Sequence, residues 1–162
     1  MAAAVTIKDT DKGYKALVAR LYGFARPRID VGILEAEGGK PEVDSAMTVL
    51  EVAIINEFGG IDANGNEHPP ARSFIRAWFD EREASLRQDL TVLMQSVVKG
   101  ARTKEEILEL LGQRCVGQIQ SRIADGVPPP NRPSTIRKKG SSTPLVDHGT
   151  LRSSITYRVD NG

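Results

Sequence analysis

Four groups of residues in this 162-residue chain are of the types that do chemistry. Asp147-His148 with Ser153 or Ser154 supplies the acid, base and nucleophile of a serine hydrolase, in which imidazole takes the hydroxyl proton while a carboxylate orients the ring. No Gly-x-Ser-x-Gly turn accompanies them, and neighbouring positions in sequence do not supply the spatial geometry those roles need. His68, His148 and Cys115 are metal-ligand types, yet a structural zinc takes about four Cys or His ligands and these are all the chain contains. Cys115 falls on the apolar face of an expected helix, where the thiolate is disfavoured and packing is the simpler role. Lys138-Lys139 beside Gly140 lacks the rest of a phosphate-binding glycine-rich loop. The expectation is no catalytic residue, no cofactor and no metal.

Composition narrows the class. Apolar residues make up 40% and charged residues 27%, which is globular composition. No apolar run approaches the ~20 residues that span a bilayer, so no membrane partner is expected. The opening Met1-Ala2-Ala3-Ala4-Val5 lacks the charged start and long apolar stretch of a secretory signal, and with a single Cys115 no internal disulfide forms; both suggest a chain that stays in the cytoplasm where it is made. The net charge of +1 argues against a protein devoted to neutralising nucleic-acid phosphates. Its distribution is more telling. Residues 35–67 hold eight acids (Glu35, Glu37, Glu42, Asp44, Glu51, Glu57, Asp62, Glu67) against Lys40, a net of −7. Residues 127–158 hold six bases (Arg132, Arg137, Lys138, Lys139, Arg152, Arg158) against Asp147, a net of +5. Two such segments pair within one subunit, meet between neighbouring copies, or simply face solvent.

The elements that must position these residues follow from periodicity. Tyr14, Leu17, Val18, Leu21 and Tyr22 recur at helical spacing between residues 9 and 24, giving a basic amphipathic helix. Ile29, Val31 and Ile33 alternate with polar residues as a half-buried strand does. Residues 35–47 and 61–69 read as loops, the second turning at Asn64-Gly65-Asn66. Between them Thr48 and Glu51 form a capping box for a short helix, stopped at Gly59-Gly60 with Phe58 buried. Pro70 suits the first turn of a long helix over 71–98, whose stripe includes Phe74, Ile75, Trp78, Phe79, Leu86, Leu90, Val97 and Val98. A second capping box, Thr103 with Glu106, opens another long helix through Ile107, Cys115, Ile119 and Ile123. The short connection makes the two antiparallel. Residues 127–143, with Pro128-Pro129-Pro130 and Pro133, read as an extended basic arm. Asp147 caps a short helix, and Ile155, Tyr157 and Val159 form a terminal strand. The fold class is therefore α+β: a small, mostly antiparallel sheet packed against two long antiparallel helices, in one domain with 27–126 and 144–160 as its core.

Three blocks, in order, resemble the small neck and tail-completion proteins of tailed bacteriophages, the group that includes lambda-like minor tail components. The first is Thr48 onward, with Val52-Ala53 and then Asn56-Glu57-Phe58-Gly59. The second is Pro70-Ala71-Arg72-Ser73-Phe74-Ile75-Arg76. The third is Pro144-Leu145-Val146-Asp147-His148-Gly149-Thr150-Leu151-Arg152-Ser153-Ser154-Ile155. The likeness covers roughly residues 28–159; the acidic 62–67 loop and His148, where Thr is more familiar, depart from the pattern.

The resemblance implies a virion subunit without catalysis. It would form a ring, sixfold as in that group, between the head connector and the tail tube or tail terminator, with genomic DNA passing through the lumen without sequence-specific binding. Such a protein works in the neck or tail of the virion and in the host cytoplasm during assembly. The residues expected at its interfaces are Glu35, Glu37, Glu42, Asp62 and Glu67 on the acidic side and Pro129, Arg132, Arg137, Lys138, Lys139 and Arg152 on the basic side. Two other readings stand beside it: a tail terminator capping the tube, and a DNA-binding packaging accessory acting through Arg132, Arg137, Lys138 and Lys139. The basic tail carries only Tyr157 as an aromatic, too few for a stacking surface on single strands.

Overall fold

The computed structural model describes residues 11–22, 26–43, 45–66, 68–140, 142–145 and 149–161, with Lys138 and Lys139 described in backbone alone. In chain order the elements are α1 (Tyr14–Tyr22), β1 (Arg28–Gly32), α2 (Glu35–Gly38), α3 (Val49–Phe58), α4 (Arg76–Val98), α5 (Lys104–Asp125), α6 (Pro133–Lys139), α7 (Thr150–Ser153) and β2 (Thr156–Asp160). The architecture is α+β. Among the described residues the sheet has two strands, paired antiparallel from Arg28 opposite Asp160 to Gly32 opposite Thr156. No described helix is long and apolar enough to cross a membrane.

Both capping boxes form. Thr48 Oγ1 accepts from the Glu51 N–H and the Glu51 carboxylate accepts from the Thr48 N–H; Thr103 and Glu106 do the same for α5. Each pair satisfies two of the donors that a helix start leaves open, worth about 1 kcal/mol for the cap itself. Helix α5 stops at Gly126, whose φ of 92° lies where other residues are strained.

Helices α4 and α5 pack antiparallel. Trp78 Nε1 donates to Gln118 Oε1 at 3.3 Å near one end; Glu81 pairs with Arg122 at 2.6 Å and, two turns on, Asp89 pairs with Arg114 at 3.0 Å, so the α5 partner falls as α4 advances. Helix α5 also lies behind both strands. The main core gathers Phe74 and Trp78, the α5 face Cys115, Ile119 and Ile123, α3's Val49 and Ala53, and Leu151 and Ile155 from the C-terminal part. Complete burial of a side chain such as Phe74 contributes roughly 1.5–3 kcal/mol.

Several expectations are corrected. The long helix begins at Arg76, and Pro70 lies in the extended segment before it instead of in its first turn. Phe79, Leu90 and Val98 lie on its exposed side, because the core takes only a narrow stripe of α4. Phe58 is exposed as well: Val49, Ala53 and Glu57 occupy the inward face of α3, which turns Phe58 out. Residues 35–47 are not wholly loop, since α2 occupies their start.

The extended arm over 127–143 is not present as such. Val127 and Asn131 are buried, and residues 133–139 are helical. The prolines permit this because Pro133 sits in the first turn of α6, where a missing N–H leaves no bond unmade. The proposed cap Asp147 lies outside the described residues, and α7 follows Gly149 at φ 80°.

Candidate assembly surface

Among the described residues, a buried polar site surrounds Glu57 at the end of α3. Its carboxylate is buried, yet it accepts from the Ser73 hydroxyl (2.6 Å) and from the backbone N–H groups of Phe74 (2.8 Å), Ile75 (3.1 Å) and Arg76 (3.0 Å). Arg76 Nε adds an ion pair at 3.2 Å. These N–H groups open α4, which has no side-chain cap from its own N-cap residue, Ile75. A carboxylate from a different helix therefore supplies the cap, and the positive end of the α4 dipole favours its charge. Burial alone would raise the Glu57 carboxyl; the Ser73 hydroxyl and the N–H groups of Ile75, Arg76 and Phe74 outweigh it and hold the group below the usual carboxylate range.

Arg76 closes the arrangement from outside. Its Nη2 donates to the Glu57 carbonyl at 3.3 Å, and its guanidinium lies 4.5 Å from the centre of the exposed Phe58 ring. Arg72, four residues earlier, is buried and reaches the other way. Its N–H donates to the Asn56 carbonyl at 2.6 Å, its Nε to the Pro129 carbonyl at 2.9 Å and its Nη2 to Asn131 Oδ1 at 3.4 Å. Asn131 in turn donates to the Ser142 carbonyl at 3.4 Å. One arginine thus ties the proline-rich segment to the body, and Leu151 and Ile155 of the third sequence block join Val49 and Ala53 of the first in the core. The three quoted sequence blocks meet as one packing unit.

The hairpin after α3 is self-contained. Asp62 accepts from the N–H groups of Asn64 and Asn66, both at 2.9 Å, with Gly65 at φ 80°. Its carboxyl is held below the usual range, chiefly by the Asn66 N–H. The turn read from Asn64-Gly65-Asn66 is therefore present, and Asp62 organises it.

The other residues expected at an interface are spread around the subunit. Glu35 is exposed; Glu37 is half-buried and paired with Lys40; Glu42 is half-buried, with Oε2 meeting no donor among the described residues. Pro129, Arg132, Arg137 and Arg152 are exposed. Glu67 lies outside the described residues, as do the side chains of Lys138 and Lys139. Among the described residues no ion pair joins the acids of 35–67 to Arg132, Arg137 or Arg152; Glu57 pairs with Arg76, and the basic Arg158 pairs with Asp30 at 2.9 Å.

The chemically capable residues are placed as follows. Ser153 and Ser154 each donate their hydroxyl to the Thr150 carbonyl at 2.9 Å. Asp147 and His148 lie outside the described residues, and His68 is exposed. Cys115 is buried and its thiol is pushed up by that burial. Among the described residues no three His, Cys, Asp or Glu side chains cluster as metal ligands would. An open groove of about 680 Å³ between α4 and α5 has Trp78, Glu81, Arg114 and Arg122 among its walls; Glu81 pairs with Arg122 and Arg114 with Asp89 across the two helices.

The sequence places Glu57, Arg72 and Arg76 in the quoted blocks but gives none of them an individual role. Their partners sit 16 to 59 residues away along the chain, beyond any local signal. Leu50, Ile54 and Phe58 stand on the exposed side of α3 at fourfold spacing; of the three, only Phe58 is expected inside from the sequence. No family model, no curated protein and no solved structure matches the chain.

Proposed function

We propose that this chain is a structural virion protein of the bacteriophage head-to-tail junction, a subunit of a ring that completes the tail or neck and joins it to the head connector. The observation that carries the reading is the convergence of its resembling blocks: Glu57 of the first caps the helix opened by the second, and the second holds the proline-rich segment through Arg72. Those residues are committed to packing and backbone hydrogen bonds, a use suited to a scaffold that presents surfaces. Its partners on this reading are copies of itself, the connector, and the tail tube or terminator, with DNA threading the lumen. The interface residues would come from Glu35, Glu37, Glu42, Asp62 and Glu67 meeting Arg132, Arg137, Lys138, Lys139 and Arg152 of a neighbour around Pro129. Charge complementarity of this kind sets register and association rate more than affinity.

Electron microscopy of particles assembled without the protein tests this reading. Filled heads beside finished, unattached tails are expected; overlong tail tubes would instead identify a terminator, and normal virions would overturn both. Steep loss of duplex-DNA retention with rising salt, in a chain that stays monomeric, would favour the packaging accessory.

A further inference from the structure

We infer that β1 of one subunit pairs edge to edge with β2 of the next, antiparallel and in the register that the two strands keep inside a subunit; the inference rests on the ring reading above. A strand in an antiparallel pair turns alternate N–H and C=O groups toward its partner and the rest away from it. In this two-stranded sheet the groups turned away have no protein partner: apart from the ladder itself, no hydrogen bond among the described residues reaches the backbone of residues 28–32 or 156–159. Both outer edges are therefore templates for a further strand. Neither strand contains a proline or a bulge, two devices that block such edges. Helix α5 supports the pair from one face, where Tyr157 lies over Gly112. Two strands make a marginal sheet, and joining edge to edge gives every strand two partners.

The side-chain pattern selects the occupant. Within a subunit Asp30 stands opposite Arg158 and Arg28 opposite Asp160, and alternation puts all four on the face away from Tyr157 and α5. Side chains stand roughly perpendicular to a sheet, so a match that holds at one edge of β1 holds at the other. Strand β2 of a second copy, laid on the free edge of β1 in the same register, sets its Arg158 beside Asp30, which then lies between two arginines, and sets its Val159 and Tyr157 beside Ile29 and Val31. The Arg158 side chain is 63% exposed and its guanidinium carries five N–H donors, so the ion pair at 2.9 Å to its own Asp30 does not exhaust it. At full overlap β1 on a second β1 would face Asp30 with Asp30, and β2 on a second β2 would face Arg158 with Arg158, like charges directly opposite. The two edges differ, so the contact is heterologous; repeated around a closed ring it joins the two-stranded sheets into one sheet with no free edge.

Cysteine pairing at the strand ends tests this, since the native Cys115 is buried while the Arg28 and Asp160 side chains are 62% and 56% exposed. Arg28→Cys and Asp160→Cys chains are co-expressed with different tags and oxidised mildly, which leaves the charges of Asp30 and Arg158 in place. A disulfide joining the two different chains through positions 28 and 160, identified by mass spectrometry, is expected, with none in either variant expressed alone. If light scattering shows full assembly while the co-expressed pair gives no disulfide, the strand pairing is wrong and the ring stands. A disulfide between copies of Arg28→Cys alone, or of Asp160→Cys alone, means that like strands meet and also overturns it. A wild-type protein that stays monomeric at high concentration removes both ideas together. As a second measurement, amide hydrogen exchange over residues 28–32 and 156–160 of the wild type should slow roughly tenfold or more between a concentration at which the chain is monomeric and one at which it assembles. Assembly with unchanged exchange in both strands contradicts the pairing.

Discussion

A buried carboxylate is costly unless donors surround it, and Glu57 has four donors besides an arginine. Replacing it with Gln keeps the shape but removes the charge and turns an N–H toward backbone donors, so we expect a loss of about 1.5–3 kcal/mol by urea denaturation. The sign of the pH dependence follows from the depressed folded-state carboxyl. Stability from this group is fully present above the unfolded value of about 4.3 and is lost as pH falls through the lower folded value. The wild type should therefore lose more stability than Glu57→Gln on acidification below that point; parallel curves would show that Glu57 is not the titrating group. The neighbouring Phe58 shows why single residues are hard to read from sequence. An aromatic before a helix-ending glycine is reasonably expected inside, but here Glu57 takes the inward position because α4 needs its cap. That need is set by a helix start nearly twenty residues away and has no local trace.

At the scale of elements, what was legible was what is local. Thr48 with Glu51 and Thr103 with Glu106 fixed two helix starts, and alternation at Ile29 and Val31 and at Tyr157 and Val159 fixed both strands, because caps and pleats depend on residues three or two apart. The proline-rich segment failed the same logic. Its conformation depends on Arg72, 57 residues from Pro129, and on the tolerance of a first helical turn for proline. Contact between α5 and β2 is likewise invisible in sequence, and Gly112 makes it possible. A Cβ at Gly112 would lie 2.3 Å from Cδ2 of Tyr157, closer than atoms can approach, while the Tyr157 hydroxyl donates to Glu109 in the same helix. Alanine at a helix interior normally gains about 1 kcal/mol over glycine. Here overpacking opposes that gain, and we expect Gly112→Ala to destabilise by a net of about 1–2 kcal/mol. In a Tyr157→Ala background the same change should become neutral or stabilising, since the two sites share one contact. Stabilisation of the otherwise native chain by Gly112→Ala would mean the ring does not press on that position.

At the scale of the whole molecule, charge is separated by segment along the sequence, and of the basic segment Arg158 feels Glu35 of the acidic one. Acids over 35–67 give a net of −7 and residues 127–158 a net of +5, while among the described residues no ion pair links those acids to Arg132, Arg137 or Arg152. On the proposed ring reading a neighbouring copy would meet these opposite fields, which reach only about 10 Å at 0.1 M salt and about 3 Å at 1 M. Contacts made by exposed apolar side chains such as Ile54 and Phe58 would not be screened in this way, because water exclusion drives them. The two contributions separate by salt. Light scattering should show assembly weakened, not abolished, between 0.1 M and 1 M salt. The double reversal Arg132→Glu with Arg137→Glu should lower assembly at 0.1 M and make little difference at 1 M, where the field it alters is already screened. Both arginines are exposed and lie outside the buried anchor made by Arg72 and Asn131, so the variant should fold normally. Equal weakening at both salt concentrations would mean that these side chains act through direct packing, and no weakening at either would remove the basic segment from the interface.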